Sequence, residues 1–209
     1  MKFYDCATAP SPRRVRMFIA EKQLEIPVVE VNLAEREQHS AEFASLNPYR
    51  TVPVLELDDG TVLNSTHGIC HYLESAYPTP ALMGTNATER GVIADLDWRI
   101  EQEGFLAVGE SFRNRSKAFK NNALTGAREH AQIEALVERG RTRAEYFLDW
   151  ANQQLDQREF FAGDDFSIAD ITAYITVEFA RWIKLEPPAE YHNLHRWHQL
   201  IASRDSAKL

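Results

Sequence analysis

Lys2–Cys6 (KFYDC) has the short β-rich run of a strand, and the turn cluster Ala7–Pro12 (ATAPSP) follows it. Val15, Phe18 and Ile19 then recur at helical spacing, which predicts a helix from Arg13 onward, Pro12 being tolerated in its first turn. Residues 26–33 (IPVVEVNL) read as a second strand, and 41–46 as one or two helical turns stopped by Asn47-Pro48. Residues 52–57 (VPVLEL) and 61–63 (TVL), joined by Asp58-Asp59-Gly60, predict a hairpin. Pro53 lacks a ladder donor and marks an end or a bend in the first of its strands. Ser65 or Thr66 caps a helix carrying Ile69, Tyr72 and Leu73, which Tyr77-Pro78-Thr79-Pro80 terminates. The predicted order over this stretch is β-α-β-α-β-β-α.

From Asn86 onward strand signals nearly vanish, so a boundary is expected at Pro78–Gly84, with domains at 1–78 and 86–209. Asn86 with Glu89 three later starts a long helix, whose apolar positions Val92, Ile93, Leu96, Ile100, Phe105 and Phe112 carry it to Arg113. A polar stretch, 114–128, precedes a second long helix bearing Leu136, Val137, Phe147, Leu148 and Leu155, in which Gly140 marks a close helix contact. In Phe166-Ser167-Ile168-Ala169-Asp170, Ser167 and Asp170 have capping-box spacing, with Phe166 placed to staple against Ile171. Two further helices carry Tyr174, Ile175 and Phe179, then Leu194, Trp197 and Ile201. The second half is therefore expected to be all-helical.

Composition narrows the function. With 209 residues, 44% hydrophobic and 26% charged, the chain is a folded protein and not a disordered scaffold. A net charge of −8 repels nucleic acid and anionic lipid, so neither is an expected partner. Cys6 and Cys70 are too few for a disulfide framework or a four-ligand metal site. His67, His71, His192, His195 and His198 show helical spacings, but no acid or cysteine completes a recognisable ligand set, so no metal is expected. The start of the chain lacks a signal-peptide apolar region, and no apolar run approaches the ~20 residues of a membrane span, so a cytoplasmic protein is expected.

The α/β first half, with a Pro opening its third strand, joined to a helical second half, resembles the glutathione S-transferases. The segments carrying the resemblance are YDCATAPSPRRVRMFIAEK (4–22), NPYRTVPVLELDDGTVLNSTHGICHYLE (47–74) and FFAGDDFSIADITAY (160–174). It implies a thioredoxin-like domain that holds glutathione as co-substrate, and a helical domain lining the site of a small hydrophobic electrophile. It further implies a homodimer with a role in detoxification. In this family the Val-Pro peptide is cis, so that the backbone of Val52 pairs with the cysteinyl backbone of glutathione beside Pro53. Gln38 falls among the glutathione-binding positions. Ser65 stands where relatives carry a Glu and Thr66 where they carry a Ser; both also read as simple helix caps.

The reaction needs a thiolate, and a thiol of pKa about 8.5 is only ~3% ionised at pH 7. Family members stabilise it with a Tyr at the end of the first strand or a Ser or Cys in the next loop. Here those positions hold Asp5 and Ala9. The chain therefore resembles an atypical subgroup lacking that residue, in which loop hydroxyls (Thr8, Ser11), helix N–H groups and a water polarised by the helical domain replace it. Ser111, Arg113 and Asn114 are the helical-domain candidates. Cys6 invites a thiol-transfer reading, with a small buried hydrophobe as its alternative. Arg13, Arg14 and Arg16 read as a solvated helix face. A binding or regulatory module that kept the fold without the chemistry is the alternative function.

Overall fold

A computed structural model describes all 209 residues, Met1–Leu209. Strand β1 (Lys2–Asp5) lies inside a four-stranded sheet of order β2-β1-β3-β4, with β2 at Val28–Glu30, β3 at Val54–Glu56 and β4 at Val62–Leu63. β1 pairs parallel with β2 (Phe3 opposite Val28) and antiparallel with β3 (Phe3 opposite Leu55), and β3 pairs antiparallel with β4. The expected strand over 26–33 shrinks to three residues. β2 is an edge with one neighbour, and Val28 and Val29 are exposed.

Helix α1 (Pro10–Glu21) begins three residues before the expected Arg13. Pro10 and Pro12 sit in its first turn, where their missing N–H groups leave no bond unmade, and the Arg13 N–H already closes the turn onto the Ala9 carbonyl. A single turn, Glu37–His39, precedes α2 (Ala41–Leu46), which Ser40 caps by accepting the Phe43 N–H. α3 (Thr66–Ala76) packs against α1. Lys22, just past α1, has a fully buried side chain whose ammonium pairs with Glu74 and donates to the carbonyls of Tyr77 and Pro80. That junction anchors the end of α3. The arginines of α1 are not a solvated face: Arg14 is buried, and Arg16 is held by Asp5.

By contact the chain divides into Met1–Pro80 with Leu124–His130 and Leu209, and Ala81–Ala123 with Ala131–Lys208. The second unit contains α4 (Ala87–Arg99), α5 (Leu106–Arg115), α6 (Ala135–Gln154), α7 (Ile168–Ala180) and α8 (His192–Ala202). The first long helix is not continuous. Between α4 and α5 it widens into a π-helical turn, Ile100–Phe105, with Gly104 pressed so closely on Phe147 and Thr176 that an added Cβ would sit 2.9 Å from both. Arg143 donates to the Gln102 carbonyl (2.6 Å), giving a backbone group of this turn a partner. Gly140 lets α6 touch α5, since a Cβ there would lie 2.6 Å from the Ala107 carbonyl and the Ser111 nitrogen.

α7 is buried along almost its whole length and starts on a complete capping box. The Asp170 carboxylate accepts the N–H and hydroxyl of Ser167, the Phe161 N–H and the indole N–H of Trp197, at 2.9–3.2 Å. Burial pushes its pKa up to about 6 against the pull of those four donors. Phe166 meets the Phe160 ring (5.8 Å) and lies under the Arg204 guanidinium. No helix of the chain is long and apolar enough to cross a membrane.

Candidate functional site

The site grows from the end of β1. Asp5, 3% exposed, is clasped by Arg16 Nη1 at 2.6 and 2.7 Å and accepts the Cys6 N–H at 2.7 Å. Arg16 also donates to the Cys6 and Ala7 carbonyls, and the Ala7 N–H is taken by Glu30. The loop between β1 and α1 is thus fixed by partners on α1 and β2. It carries Thr8 as an exposed residue, whose hydroxyl lies 3.5 Å from Cys6 Sγ. Cys6 itself is buried just past the strand.

At the start of α1 no side chain caps the helix. Of its first four positions two are proline and Arg13 N–H is bonded, which leaves Ser11 N–H as the free donor there. The positive end of α1 is therefore concentrated on Ser11. α3 begins beside it, because the Thr66 hydroxyl donates to the Ser11 carbonyl at 3.4 Å. Ser65 is the N-cap of α3, its oxygen accepting the Gly68 N–H at 3.0 Å, so its hydroxyl oxygen already serves the helix. Two helix N-termini converge, an arrangement that favours an anion.

The Val52–Pro53 peptide is cis. Val52 lies beyond the β1–β3 ladder, with neither its N–H nor its C=O bonded to other backbone. The loop leading to it is held by Asn47, fully buried, which donates to the Thr51 carbonyl and accepts the Tyr49 N–H. In the turn Glu37–His39, Gln38 Oε1 is enclosed without a hydrogen-bond partner. Arg36 and Arg50 both adopt left-handed backbone and both act on His39, whose pKa is lowered first by burial and then by these two guanidinium charges. Pattern reading missed Arg36, His39, Asn47 and Arg50. Periodicity carries no sign that two separate loops bring their basic residues together.

In the second unit, Arg113 donates to the carbonyls of Asn122 and Ala123 and stacks on Phe119 at 4.2 Å. Burial lowers its pKa. Asn114 is buried, donating to the Glu110 carbonyl and accepting the Ile133 N–H. Both side chains hold the end of α5 to the segments that follow. Ser111 is buried against α6.

Comparison with known proteins places these features in context. The family model described as glutathione S-transferase, N-terminal domain, matches residues 8–76, and that for the C-terminal domain matches 100–205. Glutathione S-transferase 2 of Saccharomyces cerevisiae is 34% identical over 213 residues, spanning 100% of this chain and 88% of that protein. The crystal structure of Gtt2 from the same organism superposes with a TM-score of 0.90 at 34% identity, covering 100% of this chain and 99% of that one. A glutathione S-transferase domain-containing protein of Marinobacter aquaeolei gives 0.91 at 34% identity, covering 99% and 100%.

Proposed function

The chain belongs to the glutathione S-transferase family, and on that premise we propose that the first unit binds glutathione, ionises its thiol and directs the thiolate at a small hydrophobic electrophile. It is a glutathione transferase. The observation that carries the mechanism is the meeting of α1 and α3 at Ser11 and Thr66. The free N–H groups at the start of α3, that of Thr66 among them, take the γ-glutamyl carboxylate, and Val52 pairs with the cysteinyl backbone beside Pro53. Arg36 and Arg50 face the glycine carboxylate with positive charge, and His39, whose pKa they and burial lower, offers it a neutral ring N–H.

Ser65 supplies no charge for the γ-glutamyl ammonium, so the carboxylate contacts and the backbone carry more of the binding. The thiolate is held by the Ser11 N–H and hydroxyl, the Thr8 hydroxyl and the field of α1, a distributed replacement for the usual Tyr, Ser or Cys. Arg113 and Asn114 take no part in this step, because within the second unit Arg113 holds the Asn122 and Ala123 carbonyls and Asn114 holds the Glu110 carbonyl and the Ile133 N–H; the thiol proton passes to solvent. The sulfur lone pair then forms the C–S bond, and the electrophile's leaving group or π electrons take the negative charge. A homodimer acting in cytoplasmic detoxification is the proposed setting.

Calorimetric titration with glutathione, followed by a conjugation assay with chlorodinitrobenzene, tests this reading. Binding with turnover supports the enzyme. Binding without turnover of any of a broad electrophile panel supports a regulatory module, and absence of binding at millimolar glutathione overturns the site.

A further inference from the structure

An aromatic cluster in the helical unit is closed on one side and open on the other. The Phe112 ring of α5 meets Phe119, Phe179 and Trp182 edge to face, with centroids 5.4, 5.6 and 5.2 Å away. Phe179 also meets Phe105 at 5.5 Å and Trp182 at 5.2 Å. These are separations at which rings attract through their quadrupoles. Phe105 and Phe179 are buried, Phe112 and Phe119 are half-buried, and Trp182 is 48% exposed.

Four residues after Phe105 and three before Phe112, Gly109 shares their face of the helix. Gly104 and Gly140 are glycines for packing reasons, since a Cβ there would stand 2.9 and 2.6 Å from neighbouring atoms. Gly109 has no such reason: a Cβ would meet only Phe179 Cε1, at 3.8 Å, an ordinary contact. A glycine inside a helix weakens it relative to alanine, so what this one provides is open space. The space is a slot with the edge of Phe179 as its floor and Phe105 and Phe112 along its α5 wall. At its mouth are Trp182 and Leu106, which is 45% exposed and lies three residues before Gly109.

We infer that this slot seats a flat aromatic ring, and that the electrophiles the enzyme prefers carry one. A ring laid over the Phe179 edge presents its face there and extends the edge-to-face pattern that Phe112 and Trp182 already make, whereas an alkyl chain gains only from its buried area. Gly109 is then the residue that decides specificity, because any side chain at that position occupies the place of the ring. The reaction of such a substrate rests on the transferase reading; the seat for its ring rests on the cluster alone.

1-Naphthol titrated into the full chain without glutathione, followed by amide and indole chemical shifts, tests the seat. Shifts should cluster at Gly109, Phe112 and the Trp182 indole. Gly109→Val, which puts two methyls into the slot, should weaken binding about tenfold, and Gly109→Ala, whose Cβ makes an ordinary contact, about threefold. With glutathione present, kcat/KM for benzyl isothiocyanate, divided by its uncatalysed rate, should exceed the same quotient for hexyl isothiocyanate about tenfold. Gly109→Val should bring that ratio toward one through the KM for the benzyl compound. Naphthol shifts that are absent or lie elsewhere would overturn the seat, as would binding unchanged in both Gly109 variants. Turnover of both isothiocyanates with no aromatic preference would overturn the substrate class and leave the transferase reading standing. Naphthol seated at Gly109 with neither isothiocyanate turned over would support the seat and count against the transferase reading.

Discussion

Asp5 and Arg16 are joined by one guanidinium nitrogen that reaches both carboxylate oxygens, at 2.6 and 2.7 Å, where β1 gives way to the loop before α1. Asp5 is committed to structure, since its carboxylate also accepts the Cys6 N–H. Breaking one side of such a buried pair typically costs about 3–5 kcal/mol, because the remaining charge is left without a partner. Asp5→Ala and Arg16→Ala should each lower stability in urea by about that amount. The double variant Asp5→Ala/Arg16→Ala should be less unstable than the sum of the two. Full additivity would show that the residues do not act as a pair.

Thr8→Ala and Ser11→Ala should each remove one hydrogen bond to a charged sulfur, about 1.5–3 kcal/mol at most, or one to two pKa units of the bound thiol. Turnover should therefore drop more at about pH 6.5 than at about pH 8.5, where solvent ionises much of the thiol unaided. The thiolate absorbance of bound glutathione, followed against pH, checks the shift directly. Complete loss of turnover at both pH values with binding intact would make that hydroxyl indispensable and end the distributed mechanism.

Arg36→Gln and Arg50→Gln should raise the KM for glutathione several-fold while leaving kcat nearly unchanged, since a carboxylate far from sulfur is bound equally in ground and transition states. Rising salt should shrink the difference between variant and parent. A fall in kcat with KM constant would place these arginines elsewhere in the reaction.

Asp170→Ala leaves the Trp197 indole, the Phe161 N–H and the Ser167 N–H without their acceptor, so a loss of about 3–5 kcal/mol is expected. The pH dependence has a definite sign. The folded pKa of about 6 lies above the ordinary value of 3.8, so the native state binds a proton before the unfolded chain does. This carboxyl's contribution is fully present below about pH 4 and is lost as pH rises through about 6, a change on the order of 3 kcal/mol. Urea midpoints for the parent and for Asp170→Asn between those pH values should diverge in that direction. Parallel curves would contradict the shift.

Gly140→Ala places a methyl 2.6 Å from two backbone atoms of α5, neither of which can rotate away. The helices must separate, at about 1–3 kcal/mol. Thermal denaturation measures the loss. Gly91→Ala, where a Cβ meets nothing within 4 Å, is the control and should not be destabilised.

What the chain determined by itself is local. Ser65, Asn86 and Ser167 act as caps because their oxygens reach N–H groups two or three residues on, a distance written entirely in spacing. The hydrophobic periods of α3, α6 and α7, and the turn at Asp58-Asp59-Gly60, are legible for the same reason. Family-level signals in the three longer segments supplied the order of the two halves. Tertiary structure decided the rest. β2 kept only three paired residues because it has a neighbour on one side. The long helix opened into a π turn because Gly104 and Gln102 meet side chains from α6 and α7, more than forty residues away. Arg16 became a buried partner of Asp5, and Arg36 and Arg50 came to share His39, through distances that depend on where the backbone returns. A cap needs only its own turn to form, whereas an ion pair or a cavity needs two segments to arrive together, and no window along the chain contains that information.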